Sequence, residues 1–310
     1  GLVGLGGAGF PTHVKLSPPP EKTIDTLVIN GAECEPFITS DFRGIIENPE
    51  SVINGIRILI DILGVKHVWI GIEDNKPEAI NLLSGLIEGD SIIKVAKLKS
   101  RYPQGAEKML IYSVTGRKVP AGKLPADVGV IVLNVNSVSF ISEYLKTGMP
   151  LIKRTVTVDG SAVKNPSNVE VLIGTPLEDV FNFTGGFKSE PHKILMGGPM
   201  MGIAQFSMQA PVLKHTNALL AFDESDAEIP TESQCIRCGR CVKACPMNLL
   251  PLFLNFNVLR GNLDELQKYH ITDCIECGSC SYVCPAKRHL VQSIRLGKAQ
   301  LRQAAAKGGK

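Results

Sequence analysis

Eight of the nine cysteines fall into two copies of one pattern: Cys235-x₂-Cys238-x₂-Cys241-x₃-Cys245-Pro246 and Cys274-x₂-Cys277-x₂-Cys280-x₃-Cys284-Pro285. Three closely spaced thiolates wrap a loop around one inorganic core, and a fourth just before a proline completes the set. That chemistry is iron–sulfur. The run holds [4Fe–4S] clusters, and where two copies are present the fourth cysteine of each serves the cluster of the other. The expected ligand sets are Cys235, Cys238, Cys241 and Cys284 for one cluster, and Cys274, Cys277, Cys280 and Cys245 for the second. A zinc site would use two C-x₂-C pairs and leave no role for a third cysteine at the same step. Disulfide frameworks belong to short secreted chains, whereas this one has 310 residues. So many cluster-type thiols point to a reducing compartment.

A second stretch with chemical potential opens the chain: Gly1-Leu-Val-Gly4-Leu-Gly6-Gly7-Ala8-Gly9-Phe10-Pro11-Thr12. Its glycines allow positive φ and a close approach of backbone to ligand, and successive N–H groups can form an anion-binding concavity. No Gly-Lys-Ser/Thr follows, so it is not a P-loop. No strand is seen before it and Pro11 interrupts a long helix, so it is not a standard dinucleotide fingerprint either. Taken alone, the loop is equally well explained as a turn.

These residues need elements to position them. Thr26–Asn30 is an apolar, β-branched run that predicts a buried strand, followed by Gly31-Ala32-Glu33-Cys34-Glu35-Pro36. Two carboxylates thus stand at the C-terminal end of a strand, the edge where open α/β sheets bind ligands. Cys34, the one cysteine outside the motifs, reads as a packed thiol. Further on, helix patterns at Pro49–Gly64, Pro77–Ile87, Gly105–Thr115 and Ser139–Thr147 alternate with strand patterns at His67–Ile72, Ile92–Leu98 and Val128–Asn134. Such alternation predicts a parallel sheet with crossover helices. From about 151 to 227 the pattern reads ββαβ, with a Gly197–Gly202 turn and an acidic linker, and carries no catalytic constellation. It reads as a spacer. Between the cysteine motifs, residues 248–273 are helical in pattern, and 287–300 predict a basic amphipathic helix.

Composition is that of a globular chain: 44% hydrophobic and 20% charged, with a net charge of +3 too near neutral to suggest nucleic acid as a partner. The lysine-bearing tail Lys298–Lys310 is expected to be solvated and disordered. No apolar run approaches the roughly 18 residues of a membrane span. The chain starts at Gly1 without Met, inside a glycine-rich motif, so a preceding segment is expected.

The glycine loop, Asn30-Gly-Ala-Glu33-Cys-Glu35-Pro36, Tyr102-Pro-Gln-Gly105-Ala-Glu107 and Asn134-Val-Asn136-Ser-Val138 occur in that order. Together they resemble the NADH-oxidising flavoprotein subunit of respiratory complex I. With the two cysteine motifs behind them, they resemble more closely the C-subunit family of Rnf complexes, membrane-bound NAD:ferredoxin oxidoreductases. The resemblance implies an α/β Rossmann-like flavin/NADH domain (1–150), a small β-grasp, SLBB-like module with linker (151–227), and a mainly helical two-cluster ferredoxin-like domain (228–310). It implies FMN, NAD(H) and two [4Fe–4S] clusters as cofactors, with Gly4, Gly6, Gly7, Ala8, Gly9 and Lys15 holding phosphates and Phe10 stacking on a ring. Asn30 would face the isoalloxazine, Glu33 and Glu35 the nicotinamide nucleotide, and Tyr102, Gly105, Glu107 and Asn136 would complete the pocket. No side chain is expected to act as acid or base. Expected partners are other Rnf-type subunits, including integral-membrane ones, with ferredoxin reached through the complex. The expected place is the cytoplasmic face of the membrane, held peripherally. Ala32, Ala106 and Ser137 depart from the complex I pattern, which has acidic residues at the first two and Asn at the third. Two other readings stand beside this one: a cobalamin reductase on the same scaffold, and a cluster-bearing binding module without a working flavin site.

Overall fold

The computed structural model describes residues 1–308. The chain divides into two compact units: Gly1–Val119 with Leu124–Glu228, and Pro120–Lys123 with the chain from Ile229 onward.

In the first unit, β1 (Thr26–Asn30), β2 (His67–Glu73), β3 (Ile93–Leu98) and β4 (Val130–Asn134) form a parallel sheet of order β3-β2-β1-β4. Around it lie α1 (Thr12–Lys15), α2 (Ser40–Glu47), α3 (Pro49–Leu63), α4 (Pro77–Leu86), α5 (Glu107–Thr115) and α6 (Val135–Thr147). The chain builds outward from β1 to β3, then returns to place β4 on the other side of β1. Strand order therefore reverses between β1 and β4, and in open α/β sheets ligands bind outside the carboxyl ends at such a point.

Side chains of a strand alternate between its faces. On β1, Leu27 and Ile29 enter the core under α3 and α6, with Ile56, Ile70 and Val138, while Val28 packs with Leu110, Ile111 and Val132 beneath α5. The helix patterns have ordinary causes. Pro49 occupies the first turn of α3, where no N–H partner is needed, and Gly64 ends it at φ 63°, the left-handed cap that favours glycine. Helix α2 was not apparent from the sequence, although Thr39-Ser40-Asp41 is a recognisable helix start.

The same unit holds a second sheet: β5 (Lys153–Asp159), β6 (Ser167–Leu172), β7 (Lys193–Met196), β8 (Ile203–Ala204) and β9 (Ala218–Phe222), in the order β6-β5-β9-β7-β8. Helix α7 (Leu177–Phe183) covers one face, burying Leu177, Val180 and Phe181 against Val156, Val158 and Leu219. The expected ββαβ order lacked β9, which is the central strand. Every residue of β9 is buried, so its sequence Ala-Leu-Leu-Ala-Phe shows no alternation to mark it as a strand. Helix α8 (Glu224–Ala227) ends the unit.

The second unit contains α9 (Arg240–Lys243), α10 (Pro251–Leu259), α11 (Leu263–Lys268), α12 (Ser279–Tyr282) and α13 (Leu290–Gly308). Leu254, Val258, Leu266, Ile271, Ile294 and Leu301 form its main core. The tail expected to be disordered is helical as far as the described residues go, with Lys310 outside them. Ile294 and Leu301 bury one face of α13, and Lys298 Nζ donates to Cys274 O (2.6 Å) and Glu276 Oε1 (2.8 Å). Leu301 and Lys298 anchor a helix whose residues 302–307 stay exposed, so the tail is solvated as its charge suggested but ordered.

Candidate functional site

At the switch point, Asn30 and Asn134 are register partners at the carboxyl ends of β1 and β4. The Asn134 side chain caps α6, its Oδ1 accepting from the N–H of Asn136 (3.0 Å) and Ser137 (3.2 Å). This cap starts α6 at Val135, four residues before the Ser139 expected from apolar spacing alone. Ser137 Oγ in turn accepts from Leu5 N–H (2.9 Å), which ties the glycine loop to the helix start. A bond from Gly4 N–H to Phe10 O (2.8 Å) and a bridge between Val3 and Pro11 close the neck of the loop, and Leu5 is buried as its plug.

Gly6, Gly7 and Ala8 stand exposed above this neck, and among the described residues the amides of Gly6 to Gly9 meet no acceptor. A Cβ on Gly6 would lie 3.0 Å from Asn134 Nδ2, so only glycine lets the loop sit this low over the strand ends. Gly7 (φ 110°) and Gly9 (φ 65°) hold left-handed backbone. A row of open amides over a sheet's carboxyl edge suits the phosphate of a nucleotide. On that ground the residues fit FMN.

Lys15 and Glu107 meet directly, Nζ to Oε1 at 2.6 Å, and Lys15 also donates to Val132 O (3.1 Å). Asn30 Nδ2 donates to Gly105 O (2.8 Å), while Cys34 Sγ accepts from Gly105 N–H (3.2 Å). Strand end and Tyr102–Glu107 loop are thereby locked together. Burial pushes the Cys34 thiol up to about 11, as expected of a packed sulfur rather than a reactive one. Phe10 is half-exposed at the loop's mouth. Asn136 Nδ2 donates to Asp41 Oδ1 (2.8 Å) and Ser40 O (3.3 Å), and so points into the protein.

Glu33 caps a helix. Its carboxylate accepts from the N–H of Asp41 (2.6 Å) and Phe42 (3.1 Å) at the start of α2. Asp41 is the residue that sequence reasoning missed. It is buried, it accepts from Asn134 Nδ2 (2.6 Å) as well as Asn136, and so it joins α2 to α6 beneath the glycine loop. Burial pushes both carboxyls above their ordinary range, and the charge of Asp41 adds to the effect on Glu33. Buried Arg154, its own ionisation lowered by burial and favoured again by Asp41, donates to Leu5 O (3.2 Å) and Lys214 O (2.6 Å). Lys76 Nζ closes the other side on Ala32 O (2.9 Å).

Glu35 reaches the second sheet. Its carboxylate accepts from Met200 N–H (3.0 Å) and lies 3.5 Å from Tyr102 Oη; burial disfavours its ionisation and pushes the carboxyl above its ordinary range, and the amides of Met200 and Met201 oppose that. A Cβ on Gly198 would strike this carboxylate, so the Gly197–Gly202 turn is shaped around it. This glycine turn does hold an anion, the Glu35 carboxylate of its own chain. The middle module is therefore more than a spacer: Thr157, Asn168 and Asn217 also bond Thr39 and Ser40 at the start of α2.

In the second unit, Cys245 lines one cavity with Cys274, Cys277 and Cys280, walled by Met247, Leu249, Leu254, Val291 and Ile294. Cys241 has Cys284 and Cys235 as charged neighbours; burial first, then their thiolates, raises it. Cys280, in the cavity, is pushed up to about 12 by burial and its sister thiolates. Such a crowd of thiols ionises only around strongly positive iron. All nine cysteines are free of disulfides. Among the described residues no three His, Cys, Asp or Glu side chains group closely enough to hold one metal ion. Four cysteines lining one apolar cavity, drawn from the C-x₂-C-x₂-C-x₃-C-P pattern, are the donor set of a cubane cluster, and the residues fit it.

Residues 1–143 match the Nuo51 FMN-binding domain, 155–204 the SLBB domain, and 234–288 the 4Fe-4S dicluster domain. Over 301 residues the chain is 50% identical to the C subunit of the Na(+)-translocating ferredoxin:NAD(+) oxidoreductase complex of Acetobacterium woodii, covering 97% of this chain and 68% of that one. The chain belongs to the Rnf-type C-subunit family. A second relative, the C subunit of the proton-translocating ferredoxin:NAD(+) oxidoreductase complex of Clostridium ljungdahlii, is 50% identical over 98% of this chain and 66% of its own. This Rnf-type chain therefore spans about two thirds of those relatives, and 39% of the C subunit of the ion-translocating oxidoreductase complex of Pseudomonas aeruginosa, with which it shares 45% identity. In fold it is similar to a chain of an NAD+-reducing [NiFe]-hydrogenase (TM-score 0.63, 17% identity, 97% of this chain and 61% of that one). It has an FMN-binding domain, an SLBB domain and a 4Fe-4S dicluster domain. No helix among the described residues is long and apolar enough to cross a membrane.

Proposed function

We propose that this chain passes electrons between NADH and a one-electron partner inside an ion-translocating ferredoxin:NAD+ oxidoreductase, held at the cytoplasmic face of the membrane by other subunits, some of them integral to it. The observation that carries the reading is the row of open glycine-loop amides over the β1/β4 switch point, in a chain that also gathers Cys245 with Cys274, Cys277 and Cys280 and sets Cys241 beside Cys235 and Cys284. Bound FMN would supply hydride exchange with NADH and single-electron release, and the two [4Fe–4S] clusters would carry those electrons onward.

The protein's own part is to bind and orient. Gly4, Gly6, Gly7, Ala8 and Gly9 offer amides to phosphate, and Lys15, once released from Glu107, adds one point charge. Asn30 and Gly105, already bonded to each other, present a rigid polar edge to the flavin. Phe10 stacks, and Glu35 with Tyr102 and Glu107 receives hydroxyls of the nicotinamide nucleotide. Glu33 and Asn136 act one step back, through α2 and Asp41, by keeping the floor of the crevice in place. The domains follow as 1–150, 151–227 and 228–310, with Cys245 and Cys284 each serving the other motif's cluster.

The test is spectroscopic. Purified under anaerobic conditions, the chain should carry about eight irons and eight acid-labile sulfides, the content of two cubanes, and NADH should bleach its flavin absorption. Bound FMN that NADH leaves oxidised would end the reading. Glu35→Gln should raise the NADH KM about tenfold, the worth of one hydrogen bond to a charged group, with iron content unchanged; a normal KM would remove Glu35 from the site.

A further inference from the structure

The two cysteine loops are unequal toward solvent. Cys235 and Cys238 are exposed, whereas Cys277 and Cys280 are buried at 7%. They are also unequal in charge. Where the first motif has Arg237, Arg240 and Lys243, the second has Glu276, Ser279 and Tyr282 at the same steps. Arg240 and Lys243, from α9, come together with Lys287 and the exposed Tyr282 around an open groove, and Cys284 and Pro285 form part of its lining. Cys284 is the ligand that the second motif lends to the exposed set. Several other cations of this unit are paired: Arg288 with Glu232, Lys268 with Glu265, and Arg295 and Lys298 with Glu276. Among the described residues Arg240, Lys243 and Lys287 form no such pair, so the groove presents uncompensated positive charge beside an exposed cluster site.

We infer that this groove is the docking surface for an acidic one-electron carrier protein, and that electrons enter or leave the chain at the Cys235, Cys238, Cys241 and Cys284 set rather than at the buried one. The inference rests on the iron–sulfur part of the proposed function and not on its NADH part. Positive charge around a redox site steers an acidic partner and fixes its orientation, more through the rate and salt dependence of encounter than through buried area. Tyr282 adds an amphipathic anchor of the kind enriched at interfaces. The exchange balances as one electron: the carrier loses one, the chain's exposed cluster gains one, and no bond or proton moves. In the reverse direction the roles exchange.

The test uses the anaerobically purified, cluster-loaded chain and, as probe, an oxidised acidic [2Fe–2S] ferredoxin, whose binding is read by calorimetry so that turnover is not required. Binding should weaken as salt is raised. Arg240→Glu combined with Lys243→Glu should weaken it at low salt at least about tenfold, with Lys268→Glu, on α11, as a control that leaves it unchanged. Should the double variant lose iron, Lys287→Glu alone is measured, and a several-fold loss is expected. Equal binding by parent and groove variants, tighter binding of a basic cytochrome c than of the ferredoxin, or groove-dependent binding only to anionic lipid vesicles would each overturn the proposal. A chain that binds the ferredoxin through the groove but fails to oxidise NADH would instead fault the flavin reading and leave this one standing.

Discussion

The two cysteine loops were written with nearly the same local instructions, and their backbones agree position by position. Arg237 and Glu276 both sit at positive φ (55° and 57°), as do Gly239 and Gly278 (74° and 82°), and Asn248 and Lys287 (55° and 52°). Each loop then leads into a four-residue helix, α9 or α12. What differs is the company each keeps. The second loop, together with Cys245, is walled by α10 and α13, and its acid Glu276 is gripped by Arg295 Nε (2.9 Å) and Lys298 Nζ (2.8 Å). The first keeps Ile236 at 69% exposure, and its basic side chains face water. Identical ligand chemistry therefore sits in one apolar site and one wet, cationic site, and cluster properties depend on that surrounding shell.

This contrast can be broken in stages. The largest effect is expected from Cys245→Ser, which takes a ligand from the walled cavity although it lies in the other motif. Iron and sulfide assays should show about half the metal gone, and the lost signal should be that of the buried cluster. If Cys245→Ser instead depletes the exposed cluster, the crossed assignment is wrong. Next in size, Leu254→Ala in the cavity wall should cost about 2–5 kcal/mol in denaturant unfolding, whereas Ile236→Ala on the exposed loop should stay within about 0.5 kcal/mol. Similar costs would mean the first loop is covered after all. The smallest effect concerns potentials. Burial opposes added electrons and nearby cations favour them, so redox titration followed by electron paramagnetic resonance should resolve two midpoints. Arg240→Gln should lower the higher one and leave the lower unmoved.

Much of the scaffold could be read directly from local pattern. The strands of the first sheet, the α3 stop at Gly64 and the cysteine sets each rest on residues close in sequence: an apolar run, a left-handed glycine, a repeated spacing. The misses share another cause. Strand β9 is apolar throughout because both its faces are covered, so nothing alternates along it. Helix α6 begins at Val135 because Asn134 caps it, and the apolar spacing that would announce the helix starts only later. Asp41 carries no local signal, because its partners Asn134 and Asn136 lie more than ninety residues away. The tail from Lys298 owes its order to Glu276 and Cys274, more than twenty residues upstream.

The positive-φ glycines of the opening loop and the spacing of the two cysteine runs were thus legible in the sequence itself: left-handed backbone and thiolate spacing are local properties, and the residues that impose them are adjacent. Only the tertiary structure decided which donors each carboxylate meets. Glu33 and Glu35 stand two residues apart with the same side chain, yet one is bound to the start of α2 and the other to the Gly198–Met200 turn of a distant sheet. A carboxylate leaving water must find donors, and which donors wait for it depends on segments far along the chain.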